Sequence, residues 1–402
     1  MKTVALLGTF DTKGKEYAFV ADRVREHGVE VILVDVGIYE PVGISPTISR
    51  QEVASAAHSE VAALAHGGDR GRAVAKMAVG ATEILRALQS QQKIDGVFAL
   101  GGGGGASLAS QAMRELPVGV PKLILTTLAA GDTKPIIGSS DIILMQAVVD
   151  PVGLNRVTRN MFSNAAAAIA AMAQVVVKPA ELDRPLIAAS MFGVTTPCVD
   201  FARARMEEAG FEVLVFHATG IGGGSMEKLI RDRMFAGVLD ITLTELADEL
   251  VGGILSAGPD RLEAASDCQI PQVVSLGALD MVNFGPPNSV PERFNDRVFY
   301  QHNSIVTLMR TTAAECAQLG KNVATKLNRA KSDVTLFIPT AGISMISSSG
   351  QPFYDPEADD VLITTIKENI GPHVEVIEIP TSINEPAFAH AMADRLIKYC
   401  SN

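Results

Sequence analysis

The chain contains an internal repeat, which constrains its fold more than any other feature. When the sequence is shifted by 182 residues, positions 4–38 align without a gap with positions 186–220. Each stretch contains an apolar strand, a loop, an amphipathic helix ending near a glycine, and a second apolar strand. That order is a β-α-β unit. The identical pairs include Phe10 and Phe192, Phe19 and Phe201, Arg23 and Arg205, Gly28 and Gly210, Glu30 and Glu212, and Val31 and Val213.

The alternation of strands and helices continues beyond the aligned stretches. A third strand is predicted to open at 96–98 and at 237–239, and a fourth at 120–123 and at 270–273. Strands that alternate with helices form a parallel sheet covered on both faces. We therefore predict an α/β chain of two Rossmann-like domains with parallel sheets and a ligand cleft between them.

The predicted domains are residues 1–180 and residues 185–402. A linker rich in proline and acidic residues is predicted near Lys178–Pro185, and an alanine-rich helix at 160–177 is predicted to end the first domain. In such folds, ligands bind beyond the carboxyl ends of the strands. The residues that follow each strand are therefore the candidates for function.

Charge and cysteine usage exclude several kinds of protein. The 34 Lys plus Arg against 45 Asp plus Glu give a net charge of −11, which argues against nucleic acid as a general partner. The longest apolar stretch, 160–177, is mostly alanine with polar interruptions, so no membrane span is expected. The four cysteines contain no C-x-x-C pair, and the apolar run at 4–7 is too short for a signal peptide. We expect a cytoplasmic protein.

A run of five glycines follows the third strand of the first half and precedes a helix. Backbone N–H groups of such a loop converge on an anion at the helix start, which predicts phosphate binding. The alternative is a flexible surface loop. The run consists of Gly101, Gly102, Gly103, Gly104 and Gly105, and Ser107 follows it.

Other polar residues follow the strands of the first half. The loop after the first strand contains Gly8, Thr9, Asp11 and Lys13. Asp35 ends the second strand, where an acid accepts hydrogen bonds from a ribose, or else only caps a loop. Further candidates for the same ligand are Arg70, Thr126, Thr127 and Asp132. Because no cage of carboxylates is visible, we expect any Mg²⁺ to arrive with the nucleotide, and we predict no protein metal site.

The second half has reactive side chains at its predicted strand ends. Cys198 follows Pro197 near a helix start, where a thiol pKa falls, although a packing role is the alternative. His217 takes the position that Asp35 has in the first half and precedes a glycine-rich loop, which suits an anionic substrate or acid–base chemistry. The alternative is a structural histidine.

Four more candidates lie further along the second half. Glu245 and Asp280 follow the third and fourth strands. His302 and Arg310 are predicted to clamp a carboxylate or phosphate, with a surface ion pair as the alternative, and the chain is predicted to be helical after residue 303.

These motifs together resemble one family, over nearly the whole chain. It comprises the N-terminal ATP-binding domain of the tomato mosaic virus resistance protein and its uncharacterised bacterial homologues. The resemblance implies two Rossmann-like domains, ATP bound in the first, and dimers, but no established reaction. Ala106 stands where the family pattern leads us to expect threonine. The motifs are GTFDTKG (8–14), DRGRAVAKM (69–77), GGGGGASLA (101–109), DPVGLNR (150–156), FHATGIGGGSME (216–227) and GALDMVNFG (277–285).

Three functions remain open from the sequence. The first is an ATP-dependent enzyme that acts on a small anionic metabolite. The second, by analogy of fold alone, is an enzyme like the sugar-nucleotide epimerases and glycosyltransferases. The third is a non-catalytic module gated by nucleotide.

Overall fold

The computed structural model describes residues 1–176 and 183–401. The chain divides into two compact units, Met1–Pro179 and Ala180–Asn402. The linker predicted at 178–185 lies mostly outside the described residues. Within the described part, no helix has the length and apolar character needed to cross a bilayer.

The first unit is a parallel sheet with helices on both faces. Its strands are β1 (Thr3–Gly8), β2 (Glu30–Asp35), β3 (Gly96–Gly101), β4 (Lys122–Thr126) and β5 (Ile143–Gln146). Its helices are α1 (Phe10–Glu26), α2 (Arg50–Ala56), α3 (Val61–His66), α4 (Arg70–Ser90), α5 (Gly103–Arg114), α6 (Lys134–Ile137) and α7 (Arg156–Ala173). The strand order is β2-β1-β3-β4-β5, and every neighbouring pair is parallel.

Side chains of β1 show how the sheet is buried. Val4 and Leu6 pack with residues of α1 and α7, whereas Ala5 and Leu7 pack with residues of α4 and α5. Successive residues of a strand point to opposite faces, so an apolar run is buried on both. The strand ends also share one edge, because Gly8 pairs with Asp35.

The second unit contains two sheets. Its strands are β6 (Leu186–Met191), β7 (Glu212–His217), β8 (Gly237–Thr242), β9 (Gln272–Gly277), β10 (Met281–Phe284), β11 (Phe299–Asn303), β12 (Val306–Arg310), β13 (Val334–Pro339) and β14 (Glu375–Ile379). Its helices are α8 (Thr196–Glu208), α9 (Ile221–Arg231), α10 (Thr244–Val251), α11 (Ala264–Cys268), α12 (Ala313–Leu327), α13 (Pro356–Asn369) and α14 (Pro386–Cys400). A six-stranded parallel sheet has the order β14-β13-β9-β8-β6-β7, which confirms the predicted α/β class with two Rossmann-like domains.

The small antiparallel sheet β10-β12-β11 was not predicted. The prediction of a helix directly after residue 303 is wrong, because β12 follows there. The Asn303 side-chain oxygen accepts a hydrogen bond from the Ile305 N–H in the turn that connects β11 to β12, and the two strands then pair. The helix begins only at Ala313, where Thr312 and Glu315 form a capping box.

Two predicted boundaries also change in the first unit. The loop expected at 8–14 is shorter than predicted, because a helical turn begins at Phe10 and α1 continues beyond a kink at Lys13. The alanine-rich helix begins at Arg156 rather than at residue 160, since the Asn155 side chain accepts hydrogen bonds from the N–H groups of Val157 and Thr158.

Candidate functional site

A pocket opens at the carboxyl edge of the first unit's sheet. Its cavity volume of about 610 Å³ lies within the range of small-molecule sites. The walls come from the residues after β1, β2 and β3, together with α3, the start of α4 and Asp150. The lining residues are Thr9, Asp11, Thr12, Lys13, Val36, Gly37, Ile38, Tyr39, Leu64, Ala65, Gly68, Asp69, Arg70, Ala73, Val74, Met77, Leu100, Gly101, Gly102, Gly103, Gly104, Gly105, Leu108 and Asp150.

The glycine run forms one wall of this pocket. It is a helix start rather than the loop that was predicted, because Gly103, Gly104 and Gly105 are the first turn of α5. Gly102 precedes the helix with a φ of −77°, and no side chain of the described residues caps it. The first N–H groups of a helix have no partner within the helix. This wall therefore offers hydrogen-bond donors to the pocket.

The glycines keep these donors uncovered. A Cβ added at Gly102 would meet no atom within 4 Å, and one at Gly103 would meet only Leu128 Cδ1, at 4.0 Å. Gly102 also has an ordinary φ, so its backbone does not itself require glycine. The absence of side chains leaves open space at the start of α5. Helix N-termini in general are binding sites for anions.

Two cations line the same pocket. The Arg70 guanidinium lies 3.5 Å from the position of a Cβ at Gly104, which places it beside the glycine wall. Lys13 Nζ donates to the Pro151 carbonyl at 3.0 Å and lies 3.9 Å from Asp150 Oδ1. Burial lowers the pKa of the Lys13 ammonium, and the Asp150 carboxylate opposes that shift. Both cations were predicted from the sequence.

Two carboxylates hold the segment after β2. Asp35 Oδ1 accepts from the N–H groups of Phe10, at 3.2 Å, and Gly37, at 2.9 Å. Asp11 Oδ2 accepts from the N–H groups of Ile38 and Tyr39, both at 3.1 Å. Asp35 is fully buried, and burial raises the pKa of its carboxyl. The structure thus gives Asp35 the loop-capping role that was the alternative to ribose binding.

Several predicted ligand residues do not line the pocket within residues 1–176. Gly8 packs against the Tyr17 ring. Thr126 is buried, and its hydroxyl accepts from the Leu128 N–H, while Asp132 accepts from the Lys134 N–H. The other predicted ligand residues that do not line the pocket are Asp35, Ser107 and Thr127.

In the second unit, Glu245 belongs to a buried ion network. Arg261, fully buried, donates from Nε to Glu245 Oε2 at 2.7 Å and from Nη2 to Asp240 Oδ1 at 2.6 Å. Burial raises the pKa of Glu245, and the Arg261 guanidinium opposes that shift. Nothing local in the sequence identifies Arg261, because its partners lie 16 to 34 residues away.

Glu245 also accepts hydrogen bonds at the glycine-rich start of α9, beside His217. Its Oε1 accepts from the N–H groups of Gly220 and Gly223, and a Cβ at Gly223 would lie 1.9 Å from its Oε2. The N-terminus of α9 therefore already holds a carboxylate. The predicted anion site on this glycine-rich segment is corrected accordingly, because Glu245 occupies two of its donors, the N–H groups of Gly220 and Gly223.

The structure separates His302 from Arg310. His302 is exposed, and its ring lies 3.8 Å from the position of a Cβ at Gly193, just after β6. His217 is exposed at the end of β7, where it pairs with Met191 of β6. The two histidines therefore share one edge of the sheet.

Arg310 instead lies in a buried cluster with Asp280. It donates to Asp359 Oδ1 at 2.6 Å and to the Phe353 carbonyl at 2.9 Å. The predicted clamp of His302 with Arg310 is therefore wrong, because Arg310 is buried with an internal partner. Burial raises the pKa of Asp280 to about 6, opposed by Arg310 and by the hydroxyl of Ser344.

Cys198 is buried in the core under α8. Its backbone N–H donates to the side-chain oxygen of Asn384. Burial raises the pKa of its thiol to about 12, whereas a helix start was expected to lower it. The prediction of an activated thiol is wrong, and the packing alternative applies. Among the described residues, no group of three or more His, Cys, Asp or Glu side chains is placed to hold a metal ion.

Comparison with known proteins gives the family. The Uncharacterised protein family (UPF0261) N-terminal domain matches residues 2–178, and the corresponding C-terminal domain matches residues 184–400. A UPF0261 protein of Clostridium tetani is 48% identical over 397 residues, covering 98% of each chain. The ToMV resistance protein Tm-1(GCR237) of Solanum lycopersicum is 38% identical over 421 residues, which cover 98% of this chain and 55% of the tomato protein. The predicted resemblance is confirmed.

A solved structure is also similar, at a much lower level. The UDP-GlcNAc 2-epimerase of Methanocaldococcus jannaschii, in complex with UDP-GlcNAc and UDP, is 11% identical with a TM-score of 0.23. The match covers 68% of this chain and 83% of that one. A likeness at this level carries no argument about function.

Proposed function

The chain belongs to the UPF0261 family, and we propose that its N-terminal unit binds ATP in the pocket at the carboxyl edge of the β2-β1-β3 strands. One observation carries the proposal. The glycine wall at the uncapped start of α5 lines a pocket of about 610 Å³, with the Arg70 guanidinium beside it. Donors at a helix N-terminus together with a cation suit phosphates.

The pocket lining includes both hydrogen-bond donors with positive charge and apolar side chains, and a nucleotide can use both. The glycine wall and Arg70 offer donors and positive charge. The lining also includes aliphatic side chains, among them Ile38, Leu64 and Met77. A nucleoside triphosphate has an anionic end and a flat, weakly polar base, so its two ends match these two regions.

Magnesium would reach the pocket together with the triphosphate. Asp11, Asp69 and Asp150 line the pocket, but they form no carboxylate group placed for a metal among the described residues. Mg²⁺ keeps several waters and binds through one or two carboxylates plus substrate phosphates. We propose that it enters with the triphosphate, and that the protein without nucleotide binds it only weakly.

ATP binding and ATP turnover are separate properties of this pocket and are tested separately. A reaction of ATP with a small anionic substrate would appear as nucleotide turnover that depends on the added carboxylate or phosphate. Tight binding without turnover on such compounds would instead favour a nucleotide-gated module.

The experiment is a calorimetric titration of ATP into wild type and two variants. Gly103→Val adds a branched side chain to the glycine wall and should abolish binding, while circular dichroism shows a retained fold. Arg70→Ala removes a charge-assisted hydrogen bond and should weaken binding roughly ten- to a hundredfold.

Arg72→Ala is the matched control. Arg72 is exposed on the same helix two residues further on, and the pocket lining within residues 1–176 leaves it out. The affinity of the Arg72→Ala variant for ATP should stay within about twofold of wild type, since exposed charges away from a ligand contribute little to binding. If Gly103→Val binds ATP as wild type does, or if Arg70→Ala and Arg72→Ala lose affinity equally, the proposed site is wrong.

A further inference from the structure

The order of the strands sets a direction along the pocket. The glycine wall follows β3, Thr9 to Lys13 follow β1, and Val36 to Tyr39 follow β2. The strands are neighbours in the order β2-β1-β3, so the ends of β3 and β2 are about 10 Å apart. On the proposed function, the phosphates lie at the end of β3, and the base then reaches the segment after β2.

The backbone donors of that segment are already engaged. The N–H of Gly37 donates to Asp35 Oδ1, and the N–H groups of Ile38 and Tyr39 both donate to Asp11 Oδ2. Three consecutive N–H groups that line the pocket are therefore bonded to carboxylates of the protein itself. They are not free to recognise acceptor atoms on the edge of a base.

Beside the Asp11 carboxylate, the side chains at this end of the pocket offer mainly apolar and aromatic surface. Val36, Ile38 and Leu64 are aliphatic and line the pocket. Tyr39 lines it too, and 60% of its surface is exposed to solvent. Its backbone is fixed by Asp11, while its ring is left at the mouth of the pocket. An aromatic ring in this place presents a flat face to whatever enters.

We propose that Tyr39 stacks on the base of the bound nucleotide, and that the site holds the base by stacking and apolar contact with little regard to its identity. Every base has a flat π-face, so stacking on an aromatic ring tolerates different bases. Discrimination between bases requires hydrogen bonds to their edges, and the donors of 37–39 are bonded elsewhere. The site then selects for the triphosphate and accepts more than one base.

The test compares three ligands on wild type, Tyr39→Ala and Tyr39→Phe. By calorimetry, Tyr39→Ala should lose roughly ten- to a hundredfold in ATP affinity, while Tyr39→Phe keeps it, because the ring and not the hydroxyl makes the contact. Inorganic triphosphate should bind wild type and Tyr39→Ala equally. GTP should bind wild type within about tenfold of ATP. Tyr354→Ala, which removes an exposed tyrosine of the second unit, is the matched control.

A spectroscopic readout separates stacking from a general effect on the fold. The chain has no Trp, so Tyr39→Trp introduces a single tryptophan at the mouth of the pocket. ATP and GTP should change its fluorescence strongly, and inorganic triphosphate should change it little.

The outcomes are distinguishable. If wild type binds no nucleotide, the proposed function is wrong and the role of Tyr39 with it. If wild type binds ATP but Tyr39→Ala binds it equally well, or loses inorganic triphosphate to the same extent, only the role of Tyr39 is overturned. If wild type binds GTP more than about a hundredfold more weakly than ATP, the inference that the site accepts more than one base is wrong.

Discussion

The Tyr17 ring lies directly against the α-carbon of Gly8, so that a Cβ on Gly8 would be 2.1 Å from Tyr17 Cζ. The Tyr17 hydroxyl is 2.7 Å from the Leu7 carbonyl oxygen and accepts from the Leu100 N–H at 2.8 Å. It therefore bridges β1 and β3 at the edge where the pocket opens. Gly8 was predicted to contact a ligand, and the structure gives it a packing role in support of the pocket floor.

Gly8→Ala should destabilise the protein, because the buried Tyr17 ring cannot move aside without losing its two backbone partners. Overpacking of this kind costs about 1–3 kcal/mol of unfolding free energy. Urea unfolding measures the effect. Gly71→Ala, on the exposed face of α4, is the control and should gain up to about 1 kcal/mol, since alanine favours helix over glycine. An unchanged midpoint for Gly8→Ala would contradict the packing role.

Local patterns predicted much of the first unit. The strand, helix and strand around 4–38 follow from apolar runs and a helical period that the sequence shows directly. The glycine run, whose position between a strand and a helix is a local signal, lines the pocket, and its binding of phosphate stays a prediction. Tyr39 also lines the pocket and was not predicted, although it follows the same strand as Asp35.

The remaining features depend on contacts between distant residues. The antiparallel sheet arises when β12 pairs with β10 and β11, and the apolar run of β12 alone does not distinguish strand from helix. Glu245 was a candidate for chemistry because it follows a strand. Its partner Arg261 lies in a loop with no motif of its own, so only the structure shows that the carboxylate is engaged.

Cys198 should be inert in the folded protein. Burial both shields its thiol and raises its pKa to about 12, and the thiolate is the reactive form. Iodoacetamide at about pH 8, followed by mass spectrometry of peptides, should leave Cys198 unlabelled in native protein and labelled after denaturation. Cys268, which is only partly buried, serves as the internal comparison. Rapid native labelling of Cys198 would mean that α8 opens readily.

The prediction of an anionic ligand at His217 remains, in a narrower form. Glu245 occupies two donors of the neighbouring helix start, so the imidazoles of His217 and His302 become the main candidates to hold the anion. A thermal-shift screen of phosphorylated and carboxylated metabolites, with ATP present, should give hits among these anionic compounds.

His217→Ala should reduce the shift of every such hit, and His390→Ala, on α14, controls for the loss of a histidine elsewhere. If a hit shifts wild type and His217→Ala equally, or if all hits are neutral, His217 is a structural histidine.

Asp280 couples the stability of the second unit to pH. Its carboxyl is fully buried, its Oδ2 accepts from the Ser344 hydroxyl at 2.8 Å, and burial raises its pKa to about 6. The unfolded chain has an ordinary aspartate pKa near ~3.9. The protonated form is therefore favoured by folding. Its contribution to stability is fully present below about pH 4 and is lost as the pH rises through about 6.

Asp280→Asn removes this titration and keeps an oxygen for the Ser344 hydroxyl. The unfolding free energy of the variant minus that of wild type should therefore rise between about pH 4 and about pH 7.5, by up to ~3 kcal/mol for a shift of about two pKa units. Urea unfolding at the two pH values measures it, and Asp200→Asn, at an exposed position, controls for the loss of a carboxylate. A difference that stays constant with pH would show that Asp280 remains ionised in the folded protein. A difference that falls with rising pH would show that Arg310 stabilises the carboxylate more than burial penalises it.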